Sequence, residues 1–261
     1  MPQALVERLV DCAGSAVLVG GQALAFWVQR LGVAVPEHVA AISDDADFLS
    51  VEGHAPRLVQ RFAQVLGGET LFPSEHALTA LVGQAFVHVA DDEYLNVDVL
   101  WRVLGLRTEE VAQRAVQVQL RQASFRVMHP MHVLRSRLMN LHKLPDKQND
   151  KGAMQLALAI DVAREHLRAF AEAQPAAATA AGRSPVQNLV TEIERLAQDD
   201  AGRKVARRYV LHVADAVEPS LIPAGPFWTK RWPPLRTLMS PAYAARFAPP
   251  KPAAPKRGRA T

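Results

Sequence analysis

The stretch that decides the fold is Val17-Leu18-Val19-Gly20-Gly21-Gln22-Ala23-Leu24-Ala25, an apolar run that ends in two glycines and continues with helical composition. The valine and leucine side chains before the glycines predict a short buried strand, and the alanine-rich sequence after them predicts a helix. Glycine lets a backbone approach a ligand closely, and the N–H groups at a helix start attract anions. The stretch therefore predicts a strand, a glycine turn that seats a phosphate chain, and a helix.

Three aspartates lie on two further predicted strands. Asp45 and Asp47 lie at the start of a strand predicted over residues 46–51, and Asp98 lies inside the apolar run of residues 95–101. Residues two apart on a strand share a face, and the three carboxylates converge if the two strands are neighbours. Such acids repel one another unless a cation neutralises them, and oxygen ligands favour Mg²⁺ or Mn²⁺. The alternative is that they are turn residues or edge residues that face water.

The order of these elements resembles the nucleotidyltransferase superfamily whose archetype is DNA polymerase beta. Its signature is an apolar strand with Gly-Gly before a helix, then Asp-x-Asp on the next strand, and a later single Asp; the similar segments here are residues 17–25, 43–48 and 97–99. Within the superfamily the chain is most similar to stand-alone bacterial nucleotidyltransferases of the abortive-infection toxin type. The resemblance covers roughly the first half of the chain. The 23 residues between Gly21 and Asp45 are more than the compact family pattern has.

The resemblance implies a metal-dependent enzyme that moves an NMP from an NTP, such as ATP, to an acceptor hydroxyl and releases pyrophosphate. RNA such as tRNA is the favoured acceptor, with protein and small molecules as alternatives, and a cognate antitoxin protein is a further expected partner. A non-catalytic nucleotide-binding or interaction module with the same fold is the alternative. The implied metal ligands and catalytic residues are Asp45, Asp47 and Asp98, and the implied phosphate contacts are Gly20, Gly21 and Ser43.

The predicted helix over residues 130–144 adds a basic candidate. Arg137 falls beside its leucine stripe, and a buried arginine requires an anionic partner such as a site carboxylate or a nucleotide phosphate. The alternative is an arginine that snorkels from the helix edge to solvent. The charged loop after this helix carries the remaining candidate nucleotide-binding residues that the resemblance implies, Lys147, Asp150 and Lys151.

The whole chain is predicted to be α+β, with a small mixed sheet flanked by helices (the nucleotidyltransferase fold) followed by a helical C-terminal half. The predicted domains are a nucleotidyltransferase-like α/β domain over 1–128, a helical domain over 129–218, and a proline-rich segment with a disordered basic tail over 219–261. Basic residues concentrate at 203–208 and in the tail of this chain of net charge +4, which favours either attraction to nucleic acid or a solvated face.

Composition narrows the expected location and partners. No apolar run approaches the roughly 20 residues that span a bilayer, so no membrane partner is expected. The first residues lack the order of a signal peptide, and the single cysteine, Cys12, excludes an internal disulfide and a multi-cysteine zinc site. A cytoplasmic location is the default expectation.

Overall fold

The computed structural model describes residues 3–37, 39, 42–43, 45–51, 55–74, 76–90, 93–120, 123–173, 185–222 and 225–248. The chain divides into two compact units, residues 1–165 and 166–261. The boundary predicted after residue 128 differs from this division. The helix that follows residue 128 packs against the helix that follows Gly20, and the Trp27 indole Nε1 donates to the Met128 carbonyl oxygen over 2.8 Å. That helix therefore belongs to the unit that contains the sheet.

The first unit alternates strands and helices. Its elements are α1 Gln3–Cys12, β1 Val17–Val19, α2 Gly20–Arg30, β2 Ala46–Leu49, α3 Ala55–Leu66, β3 Glu69–Leu71, β4 Leu81–Ala90, β5 Glu93–Leu100, α4 Thr108–Arg114, β6 Val116–Leu120, β7 Ala123–Val127, α5 Pro130–Lys143 and the start of α6 Asp150–Ala173. The fold is thus mixed α and β, as the sequence predicted.

The strands form one seven-stranded mixed sheet in the order β3-β4-β5-β2-β1-β7-β6. The central pairs β2–β5 and β1–β7 are parallel, whereas β1–β2 and the outer pairs are antiparallel. The predicted mixed sheet flanked by helices is therefore confirmed. The two predicted acid-bearing strands, β2 and β5, are neighbours at its centre.

The core under β2 determines which side of the sheet its acid faces. Phe48 is fully buried, and its ring lies against that of Phe62 on α3 with a centroid distance of 4.6 Å. α3 is strongly amphipathic and buries one stripe, because its apolar residues recur every three or four positions. Since side chains alternate along a strand, Asp47 points to the opposite face of the sheet.

The second unit is helical, with α7 Pro185–Gln198, α8 Asp200–Tyr209, α9 Trp232–Arg236 and α10 Pro241–Ala244. The helix predicted over 201–217 is shorter than expected, because Val210 adopts a left-handed φ of 57° after Tyr209 and ends α8. The segment after Pro219, predicted to be weakly periodic, contains α9 and α10 and buries Trp228 and Trp232, whose ring centroids lie 5.5 Å apart. The tail predicted to be disordered lies, from residue 249 onward, outside the described residues.

In the part of the chain that the structure describes, no helix combines the length and the apolar character needed to cross a membrane.

Candidate functional site

Asp47 and Asp98 are direct partners on neighbouring strands. β2 and β5 are parallel, and the register pairs Asp47 with Asp98, so their side chains lie side by side on one face. The next strand, β4, pairs Gln84 with Asp98. Gln84 Nε2 donates to Asp98 Oδ1 over 2.8 Å, and Asn96 Nδ2 donates to the same oxygen over 3.4 Å. Two amides therefore orient the Asp98 carboxylate.

The two glycines provide room for site side chains. The register of β1 with β2 pairs Val19 with Asp47, and Gly20 follows with a left-handed φ of +65°. A Cβ on Gly20 would overlap Asp47 Oδ2, and a Cβ on Gly21 would overlap the Ser43 side chain. The predicted turn of two glycines before the helix is wrong in detail, because α2 begins at Gly20 itself. Close packing of Asp47 and Ser43 against the helix start is what requires glycine here.

The acids and glycines open onto one cavity of about 1240 Å³ in the first unit. Asp150 is the one predicted site residue that does not line it; it lies exposed in the first turn of α6, and Asp146 and Asn149 of the same loop line the cavity instead. The predicted residues that do line the cavity are Gly20, Gly21, Ser43, Asp45, Asp47, Asp98, Arg137, Lys147 and Lys151.

The donor set has the chemistry of a site for a hard dication. Asp47 and Asp98 supply paired carboxylates, and the exposed Asp45 lines the same cavity just before β2. Over the described ranges, no group of three or more histidine, cysteine, aspartate or glutamate side chains has the geometry to hold a metal ion. The residue types thus fit Mg²⁺ or Mn²⁺ through Asp47 and Asp98, while a three-carboxylate cluster is not assembled.

The electrostatics of the cavity centre on Asp47. Burial, and after it the charge of Asp98, raises the pKa of Asp47 from 3.8 to about 6, while Arg137 and Lys147 act in the opposite direction. Burial lowers the pKa of the Arg137 guanidinium, and the Asp47 charge partly offsets that effect. Arg137 is only 7% exposed, so its interpretation as an arginine that snorkels to solvent is wrong. A buried cation and a half-buried pair of acids therefore share this cavity.

Sequence reasoning missed several polar residues of the site. Gln84 is the clearest case, because it contacts Asp98 directly. A signal was available in principle, since a half-buried polar side chain within the apolar strand β4 needs a hydrogen-bond partner. The missed lining residues on α5 and in the segment after β5 include Arg102, Arg135, Ser136 and Asn140.

The sequence matches no protein-family model and no curated protein. The resemblance to nucleotidyltransferases therefore stays a prediction, and the geometry of the cavity supports the functional proposal below.

Replacing Arg137 with methionine is expected to raise the pKa of Asp47 above its present value of about 6, because the guanidinium lowers that pKa. The measurement is a ¹³C chemical-shift titration of the aspartate carboxyl groups. Arg135→Met is the matched control: Arg135 lies on the same helix and lines the cavity, but it is not among the charges that shift Asp47. An Asp47 pKa that is unchanged in Arg137→Met, or equally shifted in the control, would contradict the assignment.

Proposed function

We propose that the protein is a metal-dependent nucleotidyltransferase, which moves an NMP from an NTP to an acceptor hydroxyl and releases pyrophosphate. The observation that supports this most directly is the in-register pair Asp47 and Asp98 in a cavity that also carries the buried Arg137 and the exposed cations Lys147 and Lys151. Paired carboxylates suit a hard dication, whereas arginine and lysine suit phosphate oxygens. A cavity that offers both suits a nucleoside triphosphate with its metal.

Each group has a role in this proposal. Asp47 and Asp98 would hold Mg²⁺ or Mn²⁺, with the exposed Asp45 beside them on the cavity wall, and the ion would supply charge stabilisation to the phosphoryl group that is transferred. Lys147, Lys151 and Arg137 would bind the phosphate oxygens. The backbone N–H groups that begin α2 would bind further phosphate oxygens, because Val19, which precedes the helix, has no side-chain acceptor to cap them.

Proton transfer in this scheme falls to Asp98. This role follows from the position of Asp98, whose carboxylate is oriented by Gln84 and lies beside Asp47 at the cavity wall. It would accept the proton of the acceptor hydroxyl as that hydroxyl attacks the α-phosphate and pyrophosphate leaves. Gln84 would keep the carboxylate oriented during this step.

The test is transfer of label from each α-³²P NTP with Mg²⁺ to RNA including tRNA, to protein and to small alcohols. We expect a labelled acceptor and released pyrophosphate with the natural chain and with Asp11→Asn, an exposed acid of α1. Asp98→Asn should lose both products. Transfer that persists undiminished in Asp98→Asn would reject this site.

A second candidate function is nucleotide binding without turnover, as in a sensing or interaction module. It is favoured by one observation: Asp45 is exposed, and within the described part of the chain the acids do not form a three-ligand metal group. This candidate predicts NTP binding that does not depend on Mg²⁺, with no pyrophosphate release for any acceptor. The RNA acceptor and the antitoxin partner are, under either candidate, proposals that derive from the resemblance.

A further inference from the structure

Gln155 uses both ends of its side-chain amide. Its Oε1 accepts a hydrogen bond of 3.0 Å from Arg137 Nη1, and its Nε2 donates one of 2.8 Å to the Ile42 carbonyl oxygen. Gln155 is 8% exposed and also lines the cavity. One buried amide therefore connects α5, α6 and the segment that leads into β2.

Among the residues that the structure describes, Arg137 has a buried donor without a hydrogen-bond partner. Its Nε is buried without a hydrogen-bond partner, and across the described residues Arg137 forms no ion pair. A buried cationic donor left in this condition is costly, and an anion in the cavity would relieve that cost. Because a guanidinium is rigid and planar, the hydrogen bond at Nη1 also fixes the direction of its other N–H groups.

The segment on the other side of Gln155 carries site residues. Ile42 precedes Ser43, whose side chain lies against Gly21 and whose carbonyl oxygen accepts a hydrogen bond of 2.9 Å from Gln22 Nε2. Gln155 and Gln22 thus donate hydrogen bonds to the carbonyl oxygens of two adjacent residues, Ile42 and Ser43, shortly before Asp45. Only one of them, Gln155, also contacts Arg137, so Gln22 offers a natural comparison.

We propose that Gln155 is a positioning residue for an anionic ligand of this cavity. It holds Arg137 so that the remaining guanidinium donors point at a phosphate oxygen, and its hydrogen bond to the Ile42 carbonyl oxygen keeps the amide itself oriented. The inference rests on the proposed function in one respect, the choice of a polyphosphate chain as the anion. Inorganic tripolyphosphate is the matching probe, because it tests the phosphate site without base, sugar, metal or turnover.

A double-mutant cycle on the full chain tests the proposal. Tripolyphosphate affinity is measured by calorimetry with EDTA for the natural chain, Gln155→Met, Arg137→Met and the double variant. We expect each single variant to bind about tenfold more weakly, and the double variant to bind no more weakly than Arg137→Met, because Gln155 acts through Arg137. If the loss of affinity in the double variant equals the product of the two single losses, the proposal is overturned. Gln22→Met supplies the comparison. Because Gln22 does not act through Arg137, the loss of tripolyphosphate affinity in a variant that combines Gln22→Met with Arg137→Met should be the product of the two single losses.

A second measurement needs no ligand and guards against simple misfolding. In ¹⁵N-arginine NMR spectra the Arg137 side-chain N–H signals should be sharp and protected in the natural chain and in Gln22→Met. They should broaden in Gln155→Met and persist in Gln155→Glu, which keeps an acceptor for Nη1. Sharp signals in Gln155→Met would overturn the inference even if binding falls.

The outcomes separate this inference from the proposed function. Normal tripolyphosphate binding and normal nucleotide transfer in Gln155→Met would remove the positioning role and leave the enzyme proposal standing. A natural chain that binds neither tripolyphosphate nor any NTP would overturn both. A third outcome is that tripolyphosphate binds, the double variant binds no more weakly than Arg137→Met, and no nucleotide is transferred to any acceptor. That outcome would support the positioning role and favour the non-catalytic candidate.

Discussion

Replacing Asp47 with asparagine is expected to abolish nucleotide transfer and, at neutral pH, to make the fold more stable. Transfer should fall at least about a hundredfold, because one of the paired carboxylates that would hold the metal is lost. Stability should rise because the pKa of Asp47 is raised from 3.8 to about 6, so the folded protein disfavours the charge that this carboxyl group carries at pH 7. At about 1.4 kcal/mol per pH unit, removing that charge stabilises the fold by up to about 3 kcal/mol.

The pH dependence of this gain has a definite sign. Below pH 4 the carboxyl group is protonated in both states and the two proteins should be similarly stable. Between pH 4 and about 6 the unfolded chain releases the proton while the folded chain keeps it, so the natural protein loses stability as the pH rises. The advantage of Asp47→Asn should therefore grow over this interval and level off above it. Urea unfolding at a series of pH values with EDTA measures this directly.

Mg²⁺ provides a second check on the same variant. If the pair Asp47 and Asp98 holds the ion, adding Mg²⁺ should stabilise the natural chain and narrow its difference from Asp47→Asn, because ligands that bind only the folded state stabilise it. Asp11→Asn, which alters an exposed acid of α1, should respond to pH and Mg²⁺ like the natural chain. A less stable Asp47→Asn at pH 7, or one that still transfers nucleotide, would contradict the assignment.

The sequence placed Asp47 and Asp98 on two strands because that assignment depends on local rules, whereas Asp45, expected beside them, lies exposed just before β2. A period of two places Asp45 and Asp47 on one face, and an acid inside an apolar strand marks Asp98. What local rules cannot supply is the long-range pairing of β2 with β5, which sets Asp47 opposite Asp98. The sequence left that pairing as a condition, and the observed register fulfils it for Asp47 and Asp98.

The remaining differences also have physical causes. The turn predicted at Gly20 was misplaced because α2 begins at Gly20 itself. There Asp47 of the neighbouring strand β2 packs closely against Gly20, and the local sequence does not reveal that long-range contact. Asp150 was expected in the cavity, but in the first turn of α6 it lies exposed and does not line it. Gln84 and Gln155 were missed as site residues or left ambiguous because an amide gains its role from the partner that folding supplies.

Replacing Gly20 with alanine is expected to give a large loss of stability, because steric overlap and backbone strain act together at this position. A Cβ there would overlap Asp47 Oδ2 and lie 2.6 Å from its Cγ and 2.9 Å from its Cβ. Rotation of Asp47 relieves the first contact but not the last, so the strand or the helix start must move, at a cost of roughly 1–3 kcal/mol. The left-handed φ adds about 1–2 kcal/mol. A total near 4 kcal/mol is expected from urea unfolding.

Gly32 separates the two contributions. It has the same φ of +65°, but a Cβ on it would meet nothing within 4 Å, so Gly32→Ala should lose only the backbone term of about 1–2 kcal/mol. Combining Gly20→Ala with Asp47→Gly removes the overlapping Oδ2, Cγ and Cβ atoms and should recover about 2 kcal/mol relative to additivity. If Gly20→Ala were as mild as Gly32→Ala, Asp47 would not lie against the helix start. The carboxylate would then be free to turn away from Asp98, and the paired acids on which metal binding depends would not be held together by the fold.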